Sequence, residues 1–309
     1  MSRIAAAVAA LLALAACGAK DTREVLHVGS QRGGTKAVML ASHALDGAPY
    51  TVDWSEFPAA QHLLEAIAGG SVDLGLVGDA PFMFAYQSGA PIKAVGAQYV
   101  AERPRGALAL VVRAASPARQ LADLKGKTVA TTRGSVGHHL ALAALAAAGL
   151  PADYVRFTFL APGDAKAAFS SGRIDAWAIW TPYLPMALKE GARVLVDGHD
   201  LVSGYGFDVA NDRAVKEHRA LLDDFLAREA KALDWARTHP DDYAAVLARE
   251  TGLPADIARD YAIKNGRRSV PIDAKVIDDQ RRVLKTFRQA GTVAGTRDIA
   301  KAFVPPAGA

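Results

Sequence analysis

The sequence lacks almost every pattern that would commit it to covalent chemistry. Cys17 is the only cysteine in 309 residues, so the chain cannot close a disulfide on itself. Outside a reducing compartment its stability must come from core packing. There is no G-x-S-x-G elbow, no Walker A loop and no H-E-x-x-H, which removes three common signatures of hydrolytic and nucleotide chemistry. No Cys/His/Asp cluster has metal-ligand spacing, and the neighbours His138 and His139 project in different directions from a helix. No metal and no cofactor is therefore expected. Charge of one sign is also scarce: 36 basic residues face 32 acidic ones, and the pairs Arg267-Arg268 and Arg281-Arg282 lack interleaved aromatics. They read as solvated helix faces, which excludes nucleic acid as the expected partner. What remains, 51% hydrophobic and 22% charged residues, is an ordinary globular composition with length for two domains.

The cysteine's position is informative. A polar start carrying Arg3 leads into an apolar or small-residue run from Ile4 to Ala16, which has the layout of a secretory leader and is too short to span a bilayer comfortably. No later run reaches about 18 apolar residues, so no other bilayer span is expected. The motif Leu14-Ala15-Ala16-Cys17-Gly18 resembles the bacterial lipobox. That resemblance implies a diacylglycerol on the Cys17 sulfur, removal of residues 1–16 as a signal peptide, and acylation of the new amino terminus. An uncleaved or differently cleaved leader is the alternative. At about 0.8 kcal/mol per buried methylene, several acyl chains would hold the protein on a membrane almost permanently.

From Val25 onward, short β-branched runs alternate with Ala/Leu-rich amphipathic segments, a pattern of α/β architecture with mostly parallel sheets. Strands are expected at "VLHVGS", "TVDWSEF", "VDLGLV", "IKAVGAQYV", "ALALVVR", "TVATT", "VRFTFL", "IDAWAIW", "RVLVDG" and "YGFDVAND", with helices between most of them. "PAAQHLLEAIAGG" reads as a helix with Pro58 near its first turn. The last hundred residues read as mainly helical, without a strand set of their own. They are expected to wrap back onto the first lobe. This gives a discontinuous lobe I over residues 25–110 plus 208–309, a continuous lobe II over 111–207, and two crossings suited to a hinge.

In open parallel sheets, ligands sit beyond the carboxyl ends of the strands, where helix N-termini also point. Four such junctions stand out: "GSQRGGT", "GDAP", "TRGSVGHH" and "WTPY". Free N–H groups and the helix dipole make a helix start an anion socket, and Ser135 is placed to cap the helix after "TRG". An ordinary capped helix explains the same letters. Asp79 is the expected N-cap of the helix carrying Pro81, with a ligand contact as the other option. On a period-two strand Trp177 shares a face with Asp175 and Ile179, and is expected in the core. Trp180 stands at the exit, where an indole can meet a ligand's apolar part.

Together these residues resemble the aliphatic sulfonate-binding proteins that serve ABC importers, over about residues 25 to 305. The most specific stretches are "EFPAAQHLLEAIAGGSVDLGLVGDAPFMFA", "GSVGHHLALAALAAAGL" and "AFSSGRIDAWAIWTPY". The resemblance implies a two-lobed type II periplasmic binding protein, a monomer held to the membrane only through its lipid, which delivers a small anion to permease subunits for sulfur uptake. It places ligand contacts at Gln31, Gly78, Asp79, Ser135, Val136, His138 and Trp180. Two positions depart from the family pattern: Val136, with only its backbone N–H, stands where a second hydroxyl is common, and Thr181 stands where aspartate is common, although threonine is still expected to cap a helix. A sulfonate is a permanent monoanion with three acceptor oxygens, so it needs donors rather than a base. Three or four charge-assisted hydrogen bonds of about 1.5–3 kcal/mol each, less ordering costs, are compatible with micromolar affinity near −8 kcal/mol. Arg32 either strengthens this field or points to solvent. Relatives in the wider group bind taurine, nitrate, bicarbonate or thiamine precursors. Taurine would require an acid for its ammonium, from Asp79 or Asp208. Desulfinase-type enzymes share the fold but use a cleft cysteine, whereas the single cysteine here is committed to the anchor, so an enzyme is not expected.

Overall fold

The structure, a computed structural model, describes residues 23–32, 34–100 and 105–305. The leader and Cys17 lie outside them. Eleven strands are described: β1 Val25–Gln31, β2 Thr51–Phe57, β3 Leu74–Gly78, β4 Ile92–Val100, β5 Leu108–Val112, β6 Thr128–Thr131, β7 Arg156–Phe159, β8 Ala176–Trp180, β9 Arg193–Asp197, β10 Tyr205–Asn211 and β11 Arg267–Val270. They form a six-stranded sheet in the order β11-β4-β10-β3-β1-β2 and a five-stranded sheet in the order β7-β6-β8-β5-β9. Eleven α-helices flank them among the described residues: α1 Thr35–Ala41, α2 Ala60–Ala68, α3 Asp79–Gln87, α4 Val136–Ala147, α5 Pro162–Ser170, α6 Tyr183–Lys189, α7 Asp212–Glu217, α8 Arg219–Thr238, α9 Pro240–Thr251, α10 Ala255–Lys264 and α11 Ala274–Gln289.

Each sheet is mixed, with most strands running one way and β10 and β11 in the first sheet and β5 in the second running the other. β1 pairs in parallel with β2 and β3, and β6 with β7 and β8, but β10 pairs antiparallel with β3 and β4, β11 with β4, and β5 with β8 and β9. The cause is the crossing chain. β1 to β4 and β6 to β9 run toward the gap between the sheets, whereas β5 and β10 enter their sheets from that gap and run away from it. β11 does the same. It also corrects the expectation of a strandless final third: its sequence, RRSV, carries two arginines and no apolar alternation that would announce it.

Each sheet is covered on both faces. On the first, Leu63, Ile67, Phe82 and Phe207 pack one side, and Leu26, Val28, Phe225 and Leu247 the other. On the second, Trp177 and Ile179 pack with Phe169 on one side, and Ala176 and Ala178 with Leu110 and Leu145 on the other. The period-two reading of β8 is thus matched, and Trp177 is core at 3% exposure. α11, from the end of the chain, lies against both α3 and α4, so residues more than 270 positions into the sequence brace helices that start at the gap. No helix among the described residues is long and apolar enough to cross a membrane.

Candidate functional site

A cavity of about 200 Å³ lies between the two sheets. Gln31, Gly78, Asp79, Ser135, Val136 and Trp180 all line it, so residues from four separate strand-to-helix junctions share one crevice. The starts of α2, α3 and α4 open onto it through Ala60, Asp79 and Val136. The first N–H groups of each helix have no partner within the helix, so the cavity wall is rich in donors.

The local chemistry of each start differs. Ser135 is the N-cap of α4, with extended backbone (φ −73°, ψ 170°) and a hydroxyl oxygen that accepts from the His138 N–H at 3.1 Å. It also lies 3.1 Å from the Thr131 hydroxyl. At α3 the N-cap is Gly78, and Asp79 is the first helical residue rather than the cap. The Asp79 carboxylate is 4% exposed. One of its oxygens accepts from the Ala80 N–H at 2.6 Å and the other from the Ser203 hydroxyl. The Gln31 amide donates to the Leu76 carbonyl at 2.8 Å, which fixes the side chain at the end of β1. Trp180 meets the Tyr183 ring edge-on, with centroids 6.3 Å apart.

His138 is not among the lining residues; its neighbour His139 is. The His138 ring is fully buried, packed edge-on against Phe157 and Phe159, and its Nδ1 accepts from the Gly134 N–H at 3.1 Å. Burial, with Arg133 and His139 adding to it, pushes its pKa down to about 4, so the ring is neutral and shapes the "RGS" turn from behind. Burial also lowers His139, against the pull of Asp79. Thr181 caps no helix: the N-cap of α6 is Pro182, without a side-chain bond. The Thr181 hydroxyl instead accepts from Asn265 at 3.0 Å. Asp208 is likewise absent from the lining. It is buried and bonded to Gln98 at 3.0 Å, and burial drives its pKa up to about 6. Beside it, burial and the Asp208 charge hold Glu229 well above the usual carboxylate range.

Arg32, Thr35 and Tyr183, from junctions already singled out, also line the cavity, Arg32 while donating to the Thr251 carbonyl at 2.7 Å. Gln61, Tyr261, Lys264, Asn265 and Arg267 line it too and were not foreseen from the sequence. Gln61 had a signal, since it opens a helix. Arg267 had none, and the expectation that it sits on a solvated helix face is corrected by its place on β11. Arg281 and Arg282, in contrast, are on the exposed side of α11. Contacts also tie the halves together across the gap: Tyr183 donates to the Pro58 carbonyl at 3.0 Å, and Lys189 pairs with Asp256 at 2.7 Å. Among the described residues, no cluster of three or more His, Cys, Asp or Glu side chains is arranged to hold a metal.

Comparison with known proteins agrees with this geometry. A family profile described as NMT1/THI5 like matches residues 52–243. A relative from Escherichia coli (strain K12), named as an aliphatic sulfonates-binding protein, is 36% identical over 307 residues, spanning 97% of this chain and 95% of its own length. The crystal structure of the Escherichia coli periplasmic aliphatic sulphonate binding protein SsuA superposes with a TM-score of 0.80 at 34% identity, over 93% of this chain and 94% of that one. The alkanesulfonate-binding protein SsuA from Xanthomonas axonopodis pv. citri, bound to MOPS, gives 0.82 at 30% identity, over 91% and 98%. The desulfurization enzyme DszB shares the fold, with a TM-score of 0.64 at 16% identity over 92% of this chain and 97% of that one.

Proposed function

The chain belongs to the NMT1/THI5-like family, and on that premise we propose that it is the extracytoplasmic substrate-binding protein of an ABC importer, gripping an aliphatic sulfonate between its lobes and releasing it unchanged. The observation that carries this is the meeting of Gln31, Gly78 and Ser135, residues 104 positions apart from first to last, on one cavity lined by the first residues of five helices. Backbone N–H groups at Asp79 and Val136, with the Ser135 hydroxyl, supply donors to three sulfonate oxygens without burying an opposing full charge. Trp180 offers its face to the alkyl tail. His139, kept neutral, adds no charge of its own.

Within this reading residues 25–110 and 208–309 form lobe I and residues 111–207 form lobe II, with the crossings near β5 and β10 as the hinge; because β5 belongs whole to the five-stranded sheet and β10 whole to the six-stranded one, each crossing moves to the start of its strand. Taurine fits the cavity less well than an uncharged tail. Asp79 is the acid lining it among the described residues, and both its carboxylate oxygens already accept hydrogen bonds. The names of the relatives support a periplasmic site of action and a binding rather than catalytic role, and permease subunits are the partners that an importer's binding protein would require. The lipobox supports anchoring through Cys17. Replacing Cys17 by serine is expected to move the protein from the membrane pellet to the soluble fraction. Persistence in the pellet would argue against the lipid.

The central test is a thermal-shift panel of alkanesulfonates, taurine, sulfate, nitrate and carboxylates. A ligand at 100 times its dissociation constant stabilises the folded state by about 2.7 kcal/mol. At least one alkanesulfonate is expected to raise Tm by several degrees at that level, and a panel without a sulfonate response would overturn the assignment.

A further inference from the structure

Resting on the reading that a sulfonate head sits at the helix starts, we propose that Arg267 receives a second acidic group at the other end of the same ligand. The solute carried is then a short sulfocarboxylate, preferred over a plain alkanesulfonate or a zwitterion of the taurine kind.

Arg267 is the first residue of β11, the edge strand that begins at the gap between the sheets, opposite Val100 of β4. It lines the cavity, yet its Nη1 is buried with no hydrogen-bond partner. The other two cations on the lining are engaged: Lys264 pairs with Asp260 at 2.8 Å and Arg32 donates to the Thr251 carbonyl. Asp208 lies close enough to feel the Arg267 charge, but among the described residues no nearby acid accepts a hydrogen bond from it. The Asp208 carboxylate bonds Gln98, and the Asp79 carboxylate bonds Ala80 and Ser203. A buried charged donor left without an acceptor costs more than a neutral one, so this guanidinium is a place where ligand chemistry yields free energy.

Its position sets the size of that ligand. A Cβ on Gly206 would lie 2.8 Å from Arg267 Nη1, so the missing side chain is what lets the guanidinium lie over β10. Gly206 pairs with Gly78, the N-cap of α3. Cα atoms paired across antiparallel strands stand about 4.5–5.5 Å apart, which puts Nη1 on the order of 10 Å or less from the α3 start. One molecule with two or three carbons between its acidic groups spans that interval. A carboxylate presents two oxygens in a plane and matches the guanidinium fork. An ammonium there is repelled, and an alkyl end leaves the donor empty. Sites built around a hydrogen-bond partner reject analogues that lack it far more strongly than apolar pockets reject a missing methylene.

Calorimetric titration of the full chain with 3-sulfopropanoate, propane-1-sulfonate and taurine tests this. The wild-type protein is expected to bind 3-sulfopropanoate at least tenfold more tightly than either of the others. In R267Q that ratio is expected to fall to about one, while R267K, which keeps the charge but not the fork, retains part of it. Melting curves of both variants establish that they are folded. Equal affinity of the wild type for 3-sulfopropanoate and propane-1-sulfonate, or survival of the tenfold ratio in R267Q, would overturn the role of Arg267 and leave the sulfonate assignment intact. Failure of all three sulfonates to bind the wild type would remove both.

Discussion

Gly78 and Val136 face each other across the gap so closely that a Cβ on the glycine would lie 2.7 Å from the Val136 Cγ1. The Gly78 backbone, at φ −67° and ψ 162°, suits any residue, so alanine there meets no strain within its own chain segment. The penalty falls on the approach of the two halves. Gly78→Ala is therefore expected to leave Tm nearly unchanged and to weaken ligand binding about 5- to 150-fold, the equivalent of about 1–3 kcal/mol of overpacking. Titration calorimetry beside a melting curve separates the two effects, and a variant that binds normally would show that the halves need not come this close.

Ser135 has two tasks with different signatures. As the N-cap of α4 it contributes about 1 kcal/mol to stability, and as a donor to an anion it contributes about 1.5–3 kcal/mol to binding. Ser135→Ala is expected to lower Tm by a few degrees while weakening sulfonate binding tenfold or more. Loss of stability with full affinity would reduce the residue to a cap.

The indole of Trp180 is the one among Trp54, Trp177, Trp180 and Trp235 that lines the cavity. Adding ligand is expected to change tryptophan emission in the native protein and to leave it flat in Trp180→Phe. An undiminished change in that variant would place the tail elsewhere.

Two buried groups give stability opposing pH dependences. Asp208 titrates near 3.9 in an unfolded chain and at about 6 when folded, so between those values the folded state holds more protons. Its contribution is full below pH ~4 and is lost as pH rises through about 6. His138 runs the other way: its pKa falls from about 6.5 unfolded to about 4 folded, so its contribution is full above about 6.5 and is lost as pH falls through about 4. Across this window the Tm of Asp208→Asn relative to wild type is expected to rise with pH, and that of His138→Asn to fall. Parallel curves for a variant and wild type would show that its group titrates normally.

Much of the fold was legible because strand and helix periodicities are local properties. β8 shows it: alternation alone separated Trp177 in the core from Trp180 at the exit. The convergence of Gln31, Gly78 and Ser135 was legible through the rule that sites form at strand ends, joined to a family resemblance. What was hidden depends on tertiary placement. His138 and His139 are consecutive histidines, and which one reaches the cavity is decided by the rotation of α4 against Phe157, Phe159 and Phe287. Thr181 reads as a cap, yet its hydroxyl is taken by Asn265, 84 residues later. Arg267 reads as one of two solvated arginines because nothing nearby in sequence reports that Gly206 leaves room for it.

The position of β10 carries a consequence for how the chain is made. It lies at the centre of the first sheet, between β4 and β3, but follows every strand of the second sheet in synthesis. Until Asn211 has emerged, β3 and β4 have no shared neighbour to join them. At about 5–20 residues per second, β4 waits for β10 for roughly 6–22 seconds after Val100 is made. Maturation of the first half therefore waits on completion of the second, and a nascent chain in that interval is pliable enough to be threaded.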